Sequence, residues 1–200
     1  MNLPRSLGPA TGLPWRPVVV LTAGGVGLLC VGVLWPGTVV AGAAVTLGLP
    51  VLAGAAAYVL DEAAGEAVAA VPTSLRTRSL ARLLVAAVLV ALGALALVGV
   101  ALRGGSGAKA GITVQLTGLT LAAVATAAAL RRRLAEPGEM VAGGLLGMVL
   151  ALTTAHPLQR WVDVFPSEAA QRWAGSLVLW GLVAAVSIAG LWAATRDPLD

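Results

Sequence analysis

An all-α, polytopic membrane protein is the fold class predicted by this 200-residue sequence, and three observations lead there. Hydrophobic residues make up 58% of the chain and charged residues 11%, more apolar side chain than a water-soluble domain of this length hides in one core. Six apolar runs, over residues 17–34, 37–60, 81–102, 112–130, 140–155 and 174–194, approach or reach the span of about 17–25 residues that a helix needs to cross a bilayer. Ala, Leu, Val and Gly fill these runs without the alternation of period two that a barrel strand requires. Helices are then the structure that satisfies every backbone group in lipid.

Each element can be justified in order. Residues 1–16 hold Arg5 and Arg16 among Pro4, Pro9 and Pro14, which is not the layout of a secretory signal, so the first run is read as a retained span. The same stretch carries Leu7, Leu13 and Trp15 and is expected at the inner headgroup region as a cytoplasmic interfacial segment. Trp35-Pro36-Gly37 predicts a tight outer turn that folds spans one and two into an antiparallel hairpin. Pro50 removes one backbone donor inside span two and predicts a kink there. In span four, Thr113, Thr117 and Thr120 share a face, and Gln115 is the most polar residue inside any span; the hydroxyls can satisfy themselves on the preceding turn. Gly143 and Gly147 in span five have the spacing that lets two helices approach closely. Between spans five and six, residues 156–173 read as two short amphipathic helices broken at Pro166, with Trp161, Phe165 and Trp173 dipping into the outer interface.

Orientation follows from the basic residues. With both termini in the cytoplasm, Arg5, Arg16, Arg76, Arg78, Arg82, Arg131, Arg132, Arg133 and Arg196 lie inside, against Arg103, Lys109, Arg160 and Arg172 outside. A multi-pass protein of the cell membrane with both ends inside is therefore expected. The net charge of +4 is explained by inner span ends meeting anionic lipid and calls for no nucleic acid.

Composition also excludes much chemistry. Cys30 is the single cysteine and lies within a span, so it forms no intrachain disulfide, and His156 is the single histidine with no second ligand beside it in sequence. Gly104-Gly-Ser-Gly-Ala-Lys109 lacks the Gly-Lys-Ser/Thr ending of a phosphate loop and follows no strand. Ser176 and His156 have no pattern of an intramembrane protease, and the only cluster of acidic residues in the chain is Asp61, Glu62 and Glu66. No catalytic residue, metal or cofactor is expected.

That acidic cluster opens the segment with the most polar chemistry, residues 61–82. Ala63, Ala64, Ala67, Val68 and Val71 follow helical spacing behind an acidic first turn, where the helix dipole favours negative charge. Pro72 stops that helix, and Thr73 or Ser74 can cap the next one. The physical expectation is a short rigid elbow projecting into the cytoplasm, where a charged loop alone would carry no such sequence of helix, proline and cap.

Asp61, Glu66, Val68, Ala69, Pro72, Ser74 and the basic residues from Arg76 to Arg82 resemble the coupling segment of permease subunits of ABC exporters with the six-span, type V architecture. The family's usual Gly-Thr pair is Ala63-Ala64 here. The resemblance implies one permease domain over residues 1–200, with a coupling segment at 61–80. It implies that Asp61, Glu62, Glu66, Val68, Pro72, Ser74 and Arg76 meet a separate cytoplasmic ATP-binding-cassette ATPase subunit. It further implies a second permease copy or homologue in the membrane, with ATP hydrolysis confined to the partner. Two rivals stand beside it on the residues alone: an accessory or substrate-binding membrane subunit not driven by an ATPase, and a membrane-embedded enzyme.

Overall fold

The computed structural model describes residues 14–61, 88, 106–131, 133, 134, 136–154, 164–166 and 173–195. Among the described residues five helices have defined bounds: α1 (Trp15–Leu34), α2 (Val39–Tyr58), α3 (Ser106–Leu130), α4 (Gly138–Thr154) and α5 (Trp173–Thr195). Among the described residues there is no strand. Four of the helices are long and apolar enough to cross a membrane, which marks the chain as a membrane protein; α4, at 17 residues, is the shorter one. All of the expected span at 81–102 except the helical, exposed Val88, most of the 61–80 segment and most of 156–173 lie outside the described residues.

Local chemistry accounts for the first hairpin. Gly37 takes φ +76°, the left-handed region that closes the Trp35-Pro36-Gly37 reversal. Thr38 then caps α2: its Oγ1 accepts from the Ala41 N–H at 3.1 Å and donates to the Trp35 carbonyl at 2.8 Å. α2 continues unbroken through Pro50, which is fully buried. Thr22, Thr46, Thr117 and Thr120 each donate to the carbonyl four residues earlier, the self-satisfied state that lets a hydroxyl sit in an apolar helix.

α2 is the centre of the bundle and touches α1, α3 and α4, while α3 touches α5. Small side chains allow this: Ala53, Ala55, Ala56 and Ala57 are fully buried, and Gly25 and Gly48 bring the α1 and α2 backbones together. A methyl at Gly48 would lie 3.2 Å from the Gly25 carbonyl oxygen. Leu29, Leu49, Leu116, Leu119 and Val149 fill the remaining core. On the outside, Val19 and Val20 of α1 and Val178, Leu182 and Val186 of α5 stand exposed. A soluble monomer rarely presents so much contiguous apolar surface, and lipid is the solvent that accepts it.

Helix directions can be read from which residues meet. Gly25 faces Leu52 and Gly32 faces Val45, so α1 and α2 are antiparallel as the turn predicts. Gly54 meets Ala142, and Gly138 meets Tyr58 and Asp61, so α2 and α4 are antiparallel too. Gly111 meets Trp173 and Gly118 meets Trp180, so α3 and α5 are parallel. α3, at 25 residues, is about 37 Å long, more than the roughly 25 Å its seven-residue connection to α4 can reach, so α3 ends where α4 begins. One end of the bundle therefore gathers the start of α1, the ends of α2, α3 and α5, and the start of α4. It carries Asp61, Arg16, Arg131 and Arg133. The opposite end carries the Trp35–Thr38 turn, the starts of α3 and α5, and the end of α4.

Candidate functional site

At the first end, the site is built around a helix start that cannot cap itself. Pro137 is the residue before α4, its carbonyl accepting the Val141 N–H at 3.0 Å, but proline has no side-chain acceptor for the free amides of the first turn. Asp61, three residues past the end of α2, supplies one. Its Oδ1 accepts from the Gly138 N–H at 2.8 Å, and the residue is only 3% exposed. The carboxylate thus lies at the positive end of the α4 dipole, which stabilises a negative charge there. α2 unwinds into this position through tighter turns, with Leu60 N–H on the Ala57 carbonyl and Asp61 N–H on the Tyr58 carbonyl at 3.2 and 3.1 Å.

Gly138 is required at the contact. A Cβ there would stand 2.5 Å from Asp61 Oδ2 and 2.9 Å from the Tyr58 Cα, and the backbone atom has no room to retreat. Glu139, next in α4, is exposed and adds a second negative charge to the favourable first turn.

At the opposite end, three buried side chains converge on one backbone oxygen. Trp180 Nε1 donates to the Val164 carbonyl at 2.9 Å, Ser176 Oγ at 3.2 Å and Gln115 Nε2 at 3.3 Å. Gln115 also donates to Ser176 Oγ at 3.1 Å. Ser176 and Trp180 are one turn apart on α5, and Gln115 lies between Gly111 and Gly118 on α3, so two helix faces meet in register. The glycines leave room for the Trp173 and Trp180 rings, and Phe165 packs on Trp180 with centroids 5.5 Å apart. The node ties the connection between α4 and α5 to the bundle.

Comparison of the chain with protein-family models, with curated proteins and with solved structures finds no match.

Of the residues expected to meet a partner, Asp61 is the one within the described residues, and its carboxylate is engaged with α4 inside the chain. Glu62, Glu66, Val68, Pro72, Ser74 and Arg76 lie outside the described residues. Gln115, singled out for its polarity, belongs to the Val164 node rather than to a threonine stripe. Trp173, expected to rest at the outer interface, is half-buried against Gly111. Gly143 and Gly147, expected at a helix contact, face open space among the described residues. Sequence reasoning missed Gly138 and the packing of Trp173 and Trp180 on α3 that sets up the Val164 node. The signal for the second was present: Gly111 and Gly118 repeat the seven-residue spacing of Trp173 and Trp180. Among the described residues, no three His, Cys, Asp or Glu side chains gather to hold a metal ion.

Proposed function

We propose that the chain is a six-span permease subunit of an ATP-driven exporter, with both termini in the cytoplasm, working with a separate ATPase and a second permease subunit. The observation that carries it is the placement of Asp61. The residue that opens the acidic, proline-terminated segment lies at the end of the bundle where α2 stops and α4 starts, which is where a displacement of that segment would act on two helices at once.

The bundle's own geometry supports the span count. α2 stops at the Asp61 end and α3 starts at the opposite end, a placement that a span between them would join. Residues 81–102 provide one apolar run for that crossing. Arg16, Arg131 and Arg133 share the Asp61 end, which favours that end as cytoplasmic. In this reading ATP closes the ATPase pair, the 62–80 segment moves with it, and the helices joined at Asp61 change their relation at the opposite end. The permease itself performs no covalent step.

The test is to reverse charge at Glu62 and Glu66 together, leaving Asp61 in place. Each lost charge-assisted contact is worth about 1.5–3 kcal/mol when desolvated, so the double variant should bind the ATPase roughly two orders of magnitude more weakly, or worse. Recovery of the ATPase with the purified chain, and its ATP turnover, are the measurements. A double variant that recovers the ATPase at wild-type yield and turnover would contradict the reading.

A further inference from the structure

We infer that Asp61 is a positioning residue that ties the start of α4 to the end of α2, not a contact to the ATPase. The inference rests on the permease reading above and deepens it by assigning this residue a positioning role.

The geometry separates the two roles. A docking residue needs its carboxylate free toward a partner, whereas Asp61 is 97% buried by its exposure of 3% and its Oδ1 holds the first amide of α4. Pro137, which precedes α4, has no side-chain acceptor to cap it at that position. Gly138 lets the carboxylate approach, with no side chain to block it, and Tyr58 packs against the same glycine from the last turn of α2. The joint is thus rigid on both sides: a charge fixed to α2 by three residues of tightening backbone, and seated on the positive end of α4. Any displacement of the end of α2 at Asp61 carries the start of α4 with it through this contact. Two-state coupling through this joint requires that α2 and α4 move together.

The experiment uses the full chain with its ATPase in lipid discs, with Cys30 replaced by Ser and spin labels at the exposed Arg16 and Glu139, at the starts of α1 and α4. In the wild type, ATP should shift the distance between the labels. Asp61→Ala should leave ATPase recovery within about twofold of wild type while abolishing the shift. Asp61→Asn retains an oxygen for the Gly138 N–H and should restore it. Asp61→Ser, whose shorter side chain does not reach Gly138, replaces Asp61→Ala if that variant is not recovered from membranes. Loss of ATPase recovery in Asp61→Ala or Asp61→Ser with the shift intact in whatever complex remains would make Asp61 a docking residue and overturn the inference. So would an undiminished shift at full recovery.

A second readout needs no partner. Amide exchange in the first turn of α4 should speed up about tenfold in Asp61→Ala and stay near wild type in Asp61→Asn, as a lost cap permits fraying. Unchanged exchange in both would overturn the joint itself. A wild-type chain that brings down no ATPase but shows this exchange pattern would leave the joint standing and defeat the permease reading.

Discussion

Trp180→Ala is expected to be among the most damaging single substitutions in this protein, lowering unfolding free energy by about 3–5 kcal/mol. The indole is 3% exposed, fills the space left by Gly118, packs on Phe165 and makes the shortest of the three bonds to the Val164 carbonyl. Truncation removes all of these at once and opens a cavity between α3 and α5. Trp180→Phe separates the parts, because it keeps most of the ring and deletes the donor. The lost hydrogen bond should cost about 0.6 kcal/mol and at most ~1.7, since Ser176 and Gln115 still reach the same oxygen, and the missing part of the indole adds a cavity cost smaller than that of Trp180→Ala. Unfolding in mixed micelles with increasing denaturing detergent measures both. A cost below about 1 kcal/mol for Trp180→Ala would mean the α3–α5 contact is not formed as described.

Gly138→Val should be the second large effect, destabilising by about 1–3 kcal/mol or more, although valine is the better helix former of the two. Its Cβ would collide with Asp61 Oδ2 and with the Tyr58 Cα, so α2 and α4 must separate and the cap is lost. Gly147→Val on the same helix is the control. Nothing described lies within 4 Å of a Cβ there, so its effect should stay within about 0.5 kcal/mol in the isolated chain. The same unfolding titration compares the two. Equal destabilisation by both would show that the Gly147 face is packed and that the specific collision at Gly138 is not the cause.

The helices were legible because span length is a composition signal. The runs at 17–34 and 174–194 fall within two residues of α1 and α5, and the reversal at Trp35-Pro36-Gly37 follows from proline and glycine chemistry. α3 was underestimated at its start, at 112 rather than Ser106, since Gly, Ser and Lys read as loop while the backbone there remains helical. The contacts were less legible for a physical reason. In a Gly-rich chain nearly every helix face offers small residues, so Gly143 and Gly147 looked as suited to packing as Gly25 and Gly48, and only the tertiary arrangement distinguishes them. Polarity pointed to Gln115, but the partner is a backbone carbonyl 49 residues away, which no side-chain motif encodes. Asp61 read as a contact to a partner because it opens an acidic segment. Its true environment depends on Pro137 leaving a helix start uncapped 77 residues later.

In the proposed permease, the Asp61 end of the bundle faces the cytoplasm and the chain crosses the membrane between Asp61 and Ser106. Cysteine accessibility in intact cells tests both with one set of single-cysteine variants, made in a Cys30→Ser background at Arg82, Gly105, Arg133 and Asp200. The expected result is labelling by a membrane-impermeant reagent at Gly105 alone before lysis, and at all four positions after it. Labelling of Arg133 in intact cells, or protection of Gly105 until lysis, would contradict the account.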